Sequence, residues 1–220
     1  MMPGVPGVRE TLPEGGRVFL VDDDASVRRA LTRLLKAGGL DVESFPSADA
    51  LLAALETQEP SCVVADLRMP GLSGLDLQDE LARRGVDLPL LFISGRADVT
   101  SSVRAMKGGA VDFLEKPVSD TDLLGAVARA LARNREQQAA RRERTTLQAR
   151  LGRLTPRERE VFALVASGLL NKQAGHQLGT TEKTIKVHRA RVMEKMEARS
   201  LADLVRMAER LGITSAPPPQ

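Results

Sequence analysis

Residues 17–35 read RVFLVDDDASVRRALTRLL. The short apolar run Val18–Val21 has the form of a buried strand. Three carboxylates in a row, Asp22, Asp23 and Asp24, end it. Beyond them Val27, Ala30, Leu31, Leu34 and Leu35 recur at i, i+3, i+4, i+7 and i+8, which predicts a helix with one apolar face. A strand, an acidic turn and a helix make the opening of a parallel α/β unit, with the acids at the carboxyl end of the strand.

The same alternation continues to about Arg133. Apolar runs at Asp41–Phe45, Cys62–Ala65, Pro89–Ile93 and Val111–Leu114 predict four further strands. Helical spacing among Leu51, Leu52 and Leu55 predicts an intervening helix, as does that among Leu75, Leu77 and Leu81. Val99, Val103 and Met106 predict a fourth helix, and Leu123, Leu124, Val127 and Leu131 a fifth. Five strands alternating with five helices give an α/β domain built on a five-stranded parallel sheet. Ligands bind such a sheet beyond the carboxyl ends of its strands. Asp22, Asp23, Asp66, Ser94 and Lys116 all stand at such ends. Crowded carboxylates call for a divalent cation, and oxygen-only ligands suit Mg²⁺. A carboxylate can also act as a nucleophile and form an aspartyl-phosphate, while a lysine and a serine neutralise and hold phosphoryl oxygens. Asp24 is expected to cap the first helix, and Cys62 to be a packing residue of its strand. The Lys116–Pro117 bond is open to either isomer.

The rest of the chain differs in kind. Residues 1–16 read as a flexible leader and 212–220 as a flexible tail. Residues 134–154 are rich in Arg, Gln and Ala and read as a solvated helical linker extending the fifth helix. Leu147, Leu151 and Leu154 form a stripe along it, which either pairs with a second chain or covers the neighbouring domain. Residues 155–211 read as an all-α unit of four helices. Thr155-Pro156-Arg157-Glu158 is a capping box with Pro at the first helical position. A short helix from Asn171, a turn at Gly179 and a longer helix, Glu182 to Met196, capped by Thr181, form a helix-turn-helix pattern. Ser200 caps the last helix, with Leu201, Leu204, Val205, Ala208 and Leu211 expected inward.

Composition narrows the function. The chain has 220 residues, 42% hydrophobic and 28% charged, with a formal net charge of +3. Residues 17–129 are net acidic and residues 130–211 net basic, so the two halves are expected to meet different partners, with nucleic acid a candidate for the second. No apolar run reaches membrane-spanning length. A single cysteine excludes an intrachain disulfide and a cysteine-cluster metal site, and fits a cytoplasmic protein. Five Phe, no Trp and no Tyr disfavour a base-stacking RNA module.

At the level of motifs, VDDDASVRRAL, ADLRMPGLSGLDL, FISGRAD and AVDFLEKP resemble the receiver domain of two-component response regulators, residues 17–133 here. LTPREREVFALVASGLLNKQAGHQLGTTEKTIKVHRARVMEKMEARSLADLVRMA resembles the LuxR-type helix-turn-helix domain. Together they resemble the NarL/FixJ class of response regulators. The resemblance implies a flavodoxin-like, doubly wound sheet and a phosphorylation-dependent transcriptional regulator. It implies Asp66 as acceptor of a phosphoryl group from a sensor histidine kinase. It implies Mg²⁺ held by Asp23, Asp66 and the backbone carbonyl of Arg68, with Asp22 assisting through water. Ser94 and Lys116 would stabilise the phosphoryl group, and Phe113 would swing with Ser94 between two states. Promoter DNA would be met by Lys186 and Val187 in the major groove, by His188 at the backbone, and by Thr181, Lys183, Thr184 and Arg191 around them. The last helix, through Leu201, Leu204 and Val205, would dimerise, giving a homodimer when phosphorylated, with RNA polymerase as a further contact.

Two departures stand out. Ser94 replaces the commoner threonine and keeps the hydroxyl. Ala174 and Gly175 replace a larger aliphatic residue and Ala, which predicts a loosely packed second helix in the C-terminal unit. Two alternatives remain at this level. In one the receiver is only a dimerisation scaffold. In the other Asp22-x-Asp24-x-Ser26 imitates a haloacid-dehalogenase-type phosphatase, with Asp22 as nucleophile.

Overall fold

The period-2 pattern of the strands sorts their side chains onto two faces of one sheet. In the computed structural model, which describes residues 16–55, 61–95 and 99–213, β1 (Arg17–Val21), β2 (Asp41–Phe45), β3 (Ser61–Asp66), β4 (Leu90–Ser94) and β5 (Asp112–Glu115) form a parallel sheet in the order β2-β1-β3-β4-β5. Val18, Leu20, Cys62, Val64, Leu91 and Ile93 point to one face, where α1 (Ala25–Ala37) and the first turns of α5 (Asp120–Gly152) cover them. Phe19, Val21, Val63, Ala65 and Phe92 point to the other, under α2 (Ala48–Ala54), α3 (Gly74–Arg83) and α4 (Val99–Lys107). This is the doubly wound arrangement, and its strand order reverses between β1 and β3, where a crevice opens beyond the carboxyl ends.

The chain divides into two compact units, the first ending at Gln138 and the second beginning at Ala139. Within the first, Asn134 is buried and both ends of its side-chain amide are hydrogen-bonded. Its Oδ1 accepts from the Ser61 amide at 3.0 Å and its Nδ2 donates to the Asp87 carbonyl at 3.3 Å. The polar stretch from 134 read as a solvated linker. Its first residue is instead a pin holding α5 to the start of β3, because a buried strand end must satisfy its orphan amide.

In the second unit, α6 (Pro156–Ala166), α7 (Asn171–Gln177), α8 (Glu182–Met196) and α9 (Leu201–Arg210) pack around Val161, Phe162, Val165, Ala174, Ile185, Val192, Met196, Leu204 and Ala208. Leu147 and Leu154 are buried and Leu151 packs against this core, so the leucine stripe covers its own unit. Leu201, expected inward, is 39% exposed, whereas Leu204, assigned to dimer contacts, is fully buried. Val205 is half-buried. The α9 stripe is narrow, and only positions 204 and 208 lie on its deepest line.

The expectation of a loose second helix is overturned. Gly175 is buried, and a Cβ there would lie 3.0 Å from the Thr180 carbonyl oxygen. The turn after α7 folds back so that the Thr180 amide donates to the Gly175 carbonyl at 2.8 Å, and that close backbone approach leaves little space. The leader, except Gly16, and the tail, except Gly212 and Ile213, lie outside the described residues.

Candidate functional site

Three carboxylates meet at the crevice. Asp22 follows β1, is 1% exposed, and places its carboxylate beside those of Asp23 and Asp66, with one oxygen from each within 4.8 Å of the others. Asp66 is the last residue of β3 and is half-buried. Lys116 follows β5 and crosses to both: its Nζ donates to Asp22 Oδ2 at 2.9 Å and to Asp66 Oδ2 at 3.0 Å. Burial opposes the charge on that ammonium, but the two carboxylate bonds outweigh it and hold its pKa above the ordinary lysine value. One ammonium against three carboxylates leaves an excess of negative charge among oxygen donors only, which fits a divalent cation.

Local sequence explains the placement. The Asp24 amide donates to Asp22 Oδ1 at 2.9 Å, and Asp24 itself caps α1 by accepting from the Ser26 and Val27 amides at 2.7 and 3.3 Å. Its pKa is lowered by its hydroxyl and amide bonds with Ser26. Asp24 and Ser26, which the phosphatase alternative requires for chemistry, are thus occupied in a helix cap. At β3, a Cβ on Gly74 would lie 2.6 Å from the Asp66 carbonyl oxygen, so only glycine lets α3 begin this close. The Arg68 amide approaches Asp66 Oδ1 at 3.4 Å. Ser94, buried at the end of β4, stands one residue beyond the register partner of Asp66, and its carbonyl accepts from the Lys116 amide at 2.8 Å. The Lys116–Pro117 peptide is cis. Phe113 is half-buried, with its ring 6.4 Å from that of Phe92. Cys62 is fully buried, and burial pushes its thiol pKa up.

The second unit carries a different surface. Thr181 caps α8 by accepting from the Thr184 amide. Ile185, Val192 and Met196 bury one side of α8, leaving Lys183, Lys186, Val187 and Arg191 exposed, with Thr184 and His188 half-buried. Val187 is an apolar side chain 47% exposed among cations, as a helix that reads base edges would present it. Lys186 pairs with Glu182 at 3.1 Å. His188 differs from its neighbours in that its Nδ1 is buried and unpartnered. Arg157 of α6 donates to the Leu178 carbonyl at the end of α7, and Arg189 of α8 to Asn171 Oδ1 at 3.3 Å, so the helix-turn-helix is tied at both ends.

A deeper tie was not visible in sequence. Glu158, readable only as the last member of a capping box, is 2% exposed and accepts from Lys195 Nζ at 2.6 Å as well as from the Thr155 amide. The Lys195 bond first, then the Thr155 amide, holds the Glu158 pKa down to about 2 from an ordinary 4.5. Its carboxylate therefore contributes stability that is present above pH ~4.5 and lost as pH falls towards ~2. Glu158→Gln should cost about 2 kcal/mol at neutral pH, less than a fully buried pair because Lys195 is partly solvated. Acid unfolding followed by circular dichroism should show the parent losing stability across that window and the variant's deficit shrinking there.

A crevice of three carboxylates and a lysine at a parallel sheet, followed in one chain by a helix-turn-helix, defines a regulator with an acidic input domain and a DNA-binding output. The comparisons agree. Residues 18–128 match the response regulator receiver domain, and residues 152–208 match the bacterial regulatory proteins of the luxR family. The chain is 51% identical to nodulation protein W of Bradyrhizobium diazoefficiens over 90% of its length and 87% of that protein's. It is 42% identical to the transcriptional regulatory protein FixJ of Azorhizobium caulinodans, over 93% of this chain and 97% of that one. Among solved structures it is similar to the response regulator StyR, with a TM-score of 0.80, 42% identity, and coverage of 89% of this chain and 99% of that chain. The chain belongs to the NarL/FixJ class of two-component response regulators, transcription factors that join a receiver to a LuxR-type DNA-binding domain. Among the described residues no helix is long and apolar enough to cross a membrane.

Proposed function

We propose that the chain is a phosphorylation-gated transcriptional regulator whose Asp66 accepts a phosphoryl group from a partner histidine kinase. The observation that carries this is the Lys116 ammonium shared between Asp22 and Asp66 inside a three-carboxylate cluster. An Asp66 carboxylate oxygen attacks phosphorus; the O–P bond forms as the P–N bond of a phosphohistidine breaks, and the imidazole leaves. Lys116, already 3.0 Å from Asp66, pairs with the transferred phosphoryl oxygens, and the Ser94 hydroxyl hydrogen-bonds one of them. Asp22, Asp23, Asp66 and the Arg68 carbonyl would hold Mg²⁺, which when bound neutralises charge on the phosphoryl oxygens.

Phosphorylation adds roughly −1.5 to −2 charges at the end of β3. Ser94 and Phe113 turn inward in response and reshape the face of α4 and β5. There Val99, Val103 and Met106 are exposed at 79%, 45% and 48%, with Lys107 beside them. Two such faces pair and bring two α8 helices to adjacent half-sites. Shifting a 1:99 equilibrium to 99:1 requires ~5.5 kcal/mol, so dimer and DNA contacts share the work with the phosphate. On DNA, Lys186 and Val187 read the groove, while Lys183, Arg191, His188, Thr184 and the capped N-terminus at Thr181 meet phosphates.

The test is binding to genomic fragments with and without acetyl phosphate, across salt concentrations. Acetyl phosphate should tighten specific binding and shift sedimentation to the dimer. Affinity should fall about 10³-fold or more between 50 and 200 mM salt if six or more phosphates are contacted. If binding and sedimentation are the same with and without the phosphodonor, the receiver is a scaffold and the gating is wrong.

A further inference from the structure

The loop that carries the acid pair is held from behind by an arginine that none of the site chemistry uses. Arg28 sits in the first turns of α1, half-buried, and its Nη1 donates to the Asp22 carbonyl at 2.6 Å and approaches the Asp23 carbonyl at 3.4 Å. The same short loop is fixed by the Asp22 amide bonding the Phe45 carbonyl at 3.3 Å and by the Asp24 amide on Asp22 Oδ1. Of the three ties, only Arg28 reaches the peptide between Asp22 and Asp23. That peptide sets where the exposed Asp23 carboxylate points relative to buried Asp22.

We infer that Arg28 is a positioning residue for the divalent cation. Its guanidinium clamps the Asp22 and Asp23 carbonyls so that both carboxylates turn into the cluster with Asp66. It touches neither the phosphoryl group nor the cation. Both carbonyls are reached from the single nitrogen Nη1, so a lysine ammonium, which also offers several donors from one nitrogen but on a flexible stem, restores only part of the clamp. A residue that orients metal ligands from outside is worth 10–100-fold in metal affinity. The inference rests on the metal-site reading above.

The experiment is calorimetric titration of the full chain with Mg²⁺, without any phosphodonor, for the parent, Arg28→Ala, Arg28→Lys and Arg29→Ala. Arg29→Ala removes the same charge from the neighbouring exposed position and controls for long-range electrostatics. Alanine is at least as good a helix former as arginine, so α1 persists, and thermal melting verifies it. Arg28→Ala should weaken Mg²⁺ about ten-fold, Arg28→Lys should fall between it and the parent, and Arg29→Ala should match the parent. Parent-like affinity in Arg28→Ala, or equal weakening in both alanine variants, overturns the clamp. A parent chain that takes up no Mg²⁺ overturns the metal-site reading itself, and the inference with it.

Discussion

Asp66→Asn is expected to take up no phosphoryl group from acetyl phosphate, a loss of the order of 10⁴-fold or more, the scale on which removal of a nucleophile is felt in covalent catalysis. The amide oxygen is neutral and does not attack phosphorus, while the rest of the site remains. Lys116 keeps its 2.9 Å bond to Asp22, so the lysine does not swing away. The fold should survive, because Asp66 is a half-buried strand end rather than a core residue. Intact-mass measurement after incubation with Mg²⁺ and phosphodonor reads the result directly. Asp22→Asn should lower labelling yet leave it detectable, since the acceptor is still present. If instead Asp22→Asn abolishes labelling and Asp66→Asn does not, the nucleophile is Asp22 and the phosphoacceptor reading is wrong.

Leu204→Ala carries the second large effect. Leu204 is 0% exposed inside the core of the DNA-binding unit, where removing three buried carbons and leaving a cavity costs about 3–4 kcal/mol. That is a large share of the stability of so small a unit. Urea unfolding should show the C-terminal transition moving to much lower denaturant, and DNA affinity should fall with it. Leu201→Ala, at a 39% exposed position, should change stability by less than about 0.5 kcal/mol. Position 201 is thus the one of the pair available to a second chain. Equal and small effects at both positions would return Leu204 to the surface and to a dimer contact.

Much of this molecule is written in short-range pattern. Short apolar runs located all five strands and 3.6-residue spacing the helices between them, and the carboxylates at strand ends announced the crevice, because a parallel sheet sends its ligand site to those ends whatever its sequence. Asp24 as a cap, the Thr155–Glu158 box and the turn at Gly179 were equally legible, since each is decided within four residues. The dividing line is distance along the chain. Asn134 read as linker because its partners, the Ser61 amide and the Asp87 carbonyl, lie 73 and 47 residues away. The Glu158–Lys195 pair spans 37 residues, so the carboxylate showed only its local role. Nothing in the sequence singled out Arg28, whose guanidinium meets the carbonyls behind the acid pair in the folded chain. Gly175 looked like a weakness and is a tight contact. Composition and periodicity chose the architecture and the kinds of side chain at the crevice, because hydrophobic burial responds to pattern. Which polar groups meet, and hence how the acids are aimed and how α8 is held, was decided only when the packed fold brought donors and acceptors from separate segments within reach of one another.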